Sequence, residues 1–427
     1  MKRFFAFVLA AVMILSFTAC GEKDTSLPED SSSVQTTDKA ENASEADTTA
    51  TQEPQSEEAS LDETTYTEIQ DIISGNKKPS SVNTIGNITE PTTKAPQTLK
   101  PAQADPSKII VSAKKEMIFT EKPTSSCHAS TVLPLDNSNV VAAWFAGSSE
   151  KADDVNILTS VRTSKGWSSP VEVTADPDTA HWNPVLFQLD DGTIILYFKV
   201  GKEIAEWKTY FSTSKDGRIW SKPQELVPGD TSGGRGPVKN KPIRLSDGTI
   251  LAPASDESGD IWRSFVDIST DGGKTWNRTD FVPTKDSNGK EVPMIQPTLW
   301  QSANGSVHML TRTKVGKIYR SDSYDGGRTW CTAYPSGLPN NSSGIDLTQD
   351  KYGRLFLVYT PHSLAGIRTP LVISVSTDDG KTWTELMRFE TKLGEFSYPA
   401  IVEKDDTLYI TYTYKREYIA YWQLEIS

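Results

Sequence analysis

An eight-residue segment returns three times in this chain: Ser-Thr-Asp-Gly-Gly-Lys-Thr-Trp at 269–276, Ser-Tyr-Asp-Gly-Gly-Arg-Thr-Trp at 323–330 and Ser-Thr-Asp-Asp-Gly-Lys-Thr-Trp at 376–383. Two worn copies precede them, at 213–220, where Lys215 replaces the Asp, and at 162–167, which is shortened. The tryptophans that end the copies, Trp167, Trp220, Trp276, Trp330 and Trp383, are separated by 53, 56, 54 and 53 residues. A constant period near 50 residues marks a radial or stacked array, whose units bury their apolar faces only against one another. Residues 106–427 hold close to six such periods.

Each copy reads as a tight turn between strands. Asp and Ser side chains accept or donate at turn backbone groups, Gly supplies positive φ, and the Trp is expected to pack the turn against its own sheet. Gly turns at Asp191-Gly192, Asp247-Gly248, Asn304-Gly305 and Tyr352-Gly353 separate earlier strand pairs, and no long stretch has helical period. The predicted fold is all-β: a six-bladed β-propeller over 106–427. Its last blade comes from 396–426, with a strand from 109–119 closing the ring.

A second pattern runs beneath the first. Asn183-Pro184, Lys241-Pro242, Gln296-Pro297 and Tyr398-Pro399 each stand where the first strand of a unit opens. Pro is tolerated at a strand's first residue, where no ladder donor is needed. If that strand is innermost, Asn183, Lys241, Gln296 and Tyr398 converge on the mouth of a central channel. His128 and His181 occupy similar points in adjacent units. The Gly-rich segment 233–242 places Arg235, Lys239 and Lys241 at one mouth as an anion-binding rim. Trp182 and Trp262 are candidate sugar-stacking platforms.

The first 105 residues are of another kind. Residues 1–20 carry Lys2 and Arg3, then an apolar run, then small residues before Cys20. This is a secretory signal, too short to span in the mature chain, and its end resembles a bacterial lipobox with Cys20 as the lipidation site. Residues 21–105 hold 24 Ser/Thr, 17 acids, 6 bases and one aromatic, Tyr66, and are expected to be a disordered tether. That stretch accounts for most of the chain's net charge of −12. With no basic block to offset it, nucleic-acid binding is excluded as an expectation. Three cysteines and four histidines suggest neither a disulfide scaffold nor a His-rich metal cage. No metal motif and no cofactor motif is evident. The expected location is the cell surface, with a membrane lipid anchor and a monomeric folded part.

The repeats and their spacing resemble the bacterial sialidases and the wider Asp-box, or BNR-repeat, superfamily, over about 320 residues. The resemblance implies that the boxes are structural. It also implies a pocket where arginines hold a sugar carboxylate, a Tyr attacks with a Glu partner, and an Asp serves as acid/base. Tyr398, in Glu-Phe-Ser-Tyr-Pro-Ala, looks like the nucleophile; Arg368 and Arg312 look like two of three arginines; Asp153 or Asp154 looks like the acid/base. Two positions depart from the pattern. The place of the first arginine reads Cys127-His128-Ala129-Ser130, and the Glu position is Gln296. Glu395, Glu257 or His128 is then the candidate base. The expected function is an extracellular exo-glycosidase acting on terminal, acidic sugars of a glycan. A uronate polysaccharide lyase, with Tyr398 and His128 or His181 moving the proton, and a non-catalytic glycan-binding lipoprotein are the alternatives.

Overall fold

The computed structural model describes residues 70–71, 105–259 and 262–427. The expected leader at 1–20, Cys20 and nearly all of the expected tether at 21–105 lie outside the described residues. From residue 105 onward the chain builds six antiparallel sheets, each running outward from its first strand. The innermost strands of blades one to six are Ser126–Pro134, His181–Gln188, Ile243–Arg244, Met294–Gln301, Asp346–Gln349 and Phe396–Lys404. Blade six takes its outermost strand, Ile110–Met117, from the start of the folded part; it pairs with Tyr418–Ile426 from Met117↔Ala420 to Ile110↔Ile426. The ring is closed by joining the two ends of the array, as the sequence predicts.

The core is six wedges, one between each pair of neighbouring blades. The second strand of blade one, Val140–Gly147, shows why. All its residues are buried, and successive side chains point to opposite faces. Val141, Ala143 and Phe145 pack with Trp182, Leu186 and Phe198 of blade two. Ala142, Trp144 and Ala146 pack with Ile419 and Tyr421 of blade six. Side-chain hydroxyls and a carboxylate hook neighbouring innermost strands together. Thr131 Oγ1 accepts from Leu186 N at 3.2 Å, Thr298 Oγ1 from Leu347 N at 3.1 Å, and Asp346 Oδ2 from Ile401 N at 2.9 Å.

The boxes form the expected turns. In 323–330, Asp325 Oδ1 accepts from Ser323 Oγ and from the backbone N–H of Arg328 and Thr329, at 2.8–3.0 Å, while Trp330 Nε1 donates to Gly327 O. The Trp differs from expectation. Trp276, Trp330 and Trp383 each enter the wedge shared with the preceding blade, so the box bolts two sheets together. Gly327, at φ 84°, sits where a Cβ would lie 2.7 Å from Leu251 Cδ1 of that preceding blade.

The X-Pro pairs also differ. Asn183-Pro184, Gln296-Pro297 and Tyr398-Pro399 lie inside their strands, at breaks in ladder register between Trp182/Val185, Ile295/Thr298 and Ser397/Ala400. Pro is accepted there because a bulge leaves a residue out of the ladder.

Closure makes a direct prediction. A chain lacking residues 1–119 leaves the edge of Tyr418–Ile426 unpaired and should lose its cooperative thermal transition and aggregate. A chain starting at 105 should keep a single transition in circular dichroism melting.

Candidate active site

Four innermost strands carry one bulge at one height. The residue at each bulge has a left-handed backbone: Ala129 at φ 55°, Asn183 at 41°, Gln296 at 54° and Tyr398 at 52°. The blade-one break, between His128 and Thr131, matches the other three. Such a φ is unfavourable for large L-residues, and a following Pro restricts the backbone further, at a cost of about 1–3 kcal/mol per site. The bulges bring residues far apart in sequence into contact at the axis.

Tyr398 of blade six is the centre of that contact. Its Oη accepts from Arg312 Nη1 at 3.1 Å and from Gln296 Nε2 at 3.2 Å, both of blade four. The His128 ring of blade one lies 4.3 Å from the Tyr398 ring, centre to centre. Two donors aimed at one phenol oxygen, one of them cationic, suit negative charge developing there. Gln296 is the hub. Its Oε1 accepts from Arg312 Nη1 at 3.1 Å, and its Nε2 also donates to Glu257 Oε2 of blade three at 3.3 Å. Burial raises the pKa of Glu257, which makes it a stronger proton acceptor. Burial first, then Arg416, Arg368, Arg312 and Lys239, holds His128 well below its ordinary 6.5, so the ring is neutral at physiological pH.

Antiparallel order places the loops between second and third strands on the same face as these bulges, and the Asp-box turns on the other. That face carries the rest of the cation cluster. Arg368 Nη1 donates to Glu395 Oε1 at 2.6 Å, and Arg416 Nε donates to the same oxygen at 2.7 Å. Arg416 Nη1 reaches Glu150 Oε2 at 2.6 Å. Arg312 forms no ion pair among the described residues, and its buried Nε has no partner there. Trp262, half-buried, faces Arg312 at 5.1 Å and Lys314 at 4.1 Å.

The structure thus brings together Tyr398, Gln296, His128 and Arg312, with Arg368 nearby and Asn183 buried at its own bulge. It does not bring in the others as expected. Asp153 is exposed and pairs with Lys202 at 3.5 Å, and Asp154 accepts from Ser148 N and Oγ within its own loop; neither touches the Tyr398 cluster. His181 is a bolt between blades one and two: Nδ1 bonds Val155 O at 3.1 Å, and Nε2 accepts from Ala175 N at 2.9 Å, leaving no ring nitrogen for a sugar. Arg235 is tied to Asp267 and Asp230, and Lys241 to Asp346 and Leu347 O, so the expected anion rim is an internal network. Lys239 is buried behind Tyr398 rather than at the mouth. Trp182 is buried and donates to Gly201 O, a core role. Glu395 holds two arginines and makes no contact with the phenol. Arg416 and Glu150 were missed by sequence reasoning. The signal available was topological: both sit in second-to-third-strand loops, the class that also supplies Arg368, Asp153 and Asp154.

Residues 138–410 match the family described as BNR repeat-like domain. No curated protein matches the sequence. Among solved structures, a protein of unknown function from Dyadobacter fermentans superposes with a TM-score of 0.61 at 17% identity, over 74% of this chain and 100% of that one. A Hadza microbial sialidase gives 0.58 at 17% identity, over 71% of this chain and 66% of its own length. The Trypanosoma rangeli sialidase, in complex with the inhibitor DANA, gives 0.57 at 13%, over 74% and 60%. These likenesses show the propeller fold.

The buried cations generate a pH prediction. Burial draws Lys199 and Lys239 each from an ordinary 10.5 to about 7. Between those values the unfolded chain binds protons that the folded chain has shed, so stability rises with pH from 7 upward. His128 acts in the same direction lower down: its contribution is complete above 6.5 and is lost as pH falls. Lys199→Met should weaken the rise between pH 7 and 9. It should also raise Tm at pH 6 by a few degrees, roughly, as read by differential scanning fluorimetry.

Proposed function

Because the chain belongs to the BNR repeat-like domain family, we propose that it is a glycan-processing enzyme of sialidase type, an exo-glycosidase acting on a terminal, carboxylate-bearing sugar in the axial pocket. The observation that carries this reading is the Tyr398 oxygen held between Arg312 and Gln296, with a neutral His128 against its ring.

The chemistry follows from those groups. Arg312, without an ion pair among the described residues, takes the sugar carboxylate by forked hydrogen bonds, and Arg368 and Arg416 complete the cationic wall as Glu395 shares them with the ligand. A neutral phenol approaches an anomeric carbon beside that carboxylate without the repulsion a carboxylate nucleophile meets. As Tyr398 attacks, Arg312 and Gln296 steady the oxygen, and Glu257, linked to the phenol through Gln296 and raised in pKa by burial, takes up its proton by way of an intervening water. An acid on the blade-one loop protonates the leaving oxygen: Asp153 or Asp154, with Glu150 on the same loop. Water then cleaves the tyrosyl glycoside. Trp262 offers the mouth an aromatic wall. The acting form is a monomer tethered outside the cell through Cys20, with no cofactor and no metal.

One observation favours the lyase as second reading. The phenol touches an amide and a guanidinium where a hydrolase of this kind needs a carboxylate. In that reaction Tyr398 or His128 removes the C5 proton of a uronate while Arg312 neutralises its carboxylate, and the leaving oxygen departs to give an unsaturated sugar.

The test is a panel of sialosides, uronosides and neutral glycans, followed by sugar release and by ultraviolet absorbance. Tyr398→Phe should lower kcat at least about 1000-fold in either reading, on the scale of losing a nucleophile or base. Gln296→Glu should raise hydrolysis about tenfold by setting a carboxylate on the phenol; under the lyase reading it adds repulsion and slows release of the absorbing product. Binding with no turnover in the unaltered protein refutes both.

A further inference from the structure

Blade three lacks the bulge that blades one, two, four and six share, since Lys241-Pro242 stands ahead of its short first strand, Ile243–Arg244. The two residues just before that pair reach elsewhere. Lys239 Nζ donates to Pro399 O of blade six, to Ile345 O of the segment entering blade five at 2.9 Å, and to Asn240 Oδ1 at 2.8 Å. Asn240 Nδ2 donates to Gln296 O and Pro297 O of blade four, at 3.0 Å each. Both side chains are buried, at 5% and 1% exposure.

Resting on the reading above for the reaction, we propose that Lys239 and Asn240 are positioning residues, a two-residue clamp that holds the bulges of blades four and six so that Gln296 and Tyr398 meet. A bulge removes peptide groups from the ladder, and a buried carbonyl without a donor is unfavourable. The carbonyls concerned are those of Gln296, Pro297 and Pro399, which flank the two left-handed residues. Below about pH 7, where the Lys239 amine is protonated, it has three N–H donors for the three oxygens that surround it; above that, it keeps two. Its nitrogen lies 5.9 Å from the centre of the Tyr398 ring, over the ring face. Gly344 completes the seat: a Cβ there would come 3.3 Å from Lys239 Cε and 3.5 Å from Tyr398 Cδ2, so the lysine stem and the phenol ring pack against the same bare backbone. Blade three thus contributes fixed hydrogen-bond donors where the other blades contribute a bulged residue. Neither Lys239 nor Asn240 needs to touch a sugar to set the geometry of the phenol.

The test takes Lys239→Met and Asn240→Ala in the full chain, by crystallography and by kinetics on the glycan the unaltered protein processes. Lys239→Met keeps length and removes the donors. Tyr398 should leave positive φ or its Oη should move by about 1 Å or more, with kcat down about 100-fold and KM changed less than about threefold. Asn240→Ala leaves the Lys239 bonds to Ile345 and Pro399 in place, so Gln296 should shift while Tyr398 stays, with a smaller fall in kcat. Should Lys239→Met fail to fold, the Asn240→Ala structure decides alone, and an unmoved Gln296 overturns the clamp. Tyr398 and Gln296 unmoved in both variants also overturn it. With an unaltered protein that turns over no glycan, the crystallographic comparison still decides the clamp, so its failure is distinct from failure of the enzymatic reading.

Discussion

Every sheet in this ring is apolar on both faces, and that constraint governs the rest. Val140–Gly147 is buried on either side, and Val307–Thr313 likewise. A sheet of that kind is stable only between two others, and the last of a row always lacks a neighbour until the row closes on itself. Pairing Ile110–Met117 with Tyr418–Ile426 removes the open edge and seals the wedge between blades six and one. The Asp-box tryptophans and the side-chain hooks on the inner strands add specificity to contacts that burial alone leaves free to slide.

Closure also constrains the polar groups. The wedges exclude water between blades, so each polar group buried in the ring, at the axis or farther out, needs a partner. Most are bolts: His181, Arg235, Lys241 and Asp346 are saturated by neighbours. Around Tyr398 the pattern changes. The backbone is held left-handed, a neutral histidine lies against the phenol, three guanidinium groups share few carboxylates, and among the described residues Arg312 Nε has no partner. Left-handed bulge residues from four blades, a neutral buried ring and several guanidinium groups meet at this one place, as they do in a binding or reacting centre.

Gln296 gives this centre its own character. An amide both accepts and donates, so Gln296 joins Arg312, Tyr398 and Glu257 in one network, whereas a carboxylate can only accept. The buried carboxyl group in that network is Glu257, one blade away on blade three. The network therefore rests on a relation between blades three, four and six that no single strand contains.

The fold was legible because it is written locally. The box residues, their even spacing and the Gly turns act within a few residues of chain, and repetition multiplies a weak signal. Tyr398, Gln296 and Asn183 were legible for a related reason, as each precedes a Pro at the same point of its unit, although Lys241, read with them, stands ahead of its strand. The roles of Arg235, Lys241 and His181 were not, because a charged or polar side chain near a mouth reads alike in sequence whether it meets a ligand or a neighbour's carboxylate. Arg416 and Glu150 carry no motif, and Lys239 gave no sign that it turns inward. By itself the sequence determined the number of units and the turns between their strands, since these follow from backbone preferences and side-chain alternation over short distances. Only the tertiary structure decided which cations are occupied, which groups touch the Tyr398 oxygen and which donors reach the bulged strands, because those partners are separated by tens to hundreds of residues and meet only when the ring has closed.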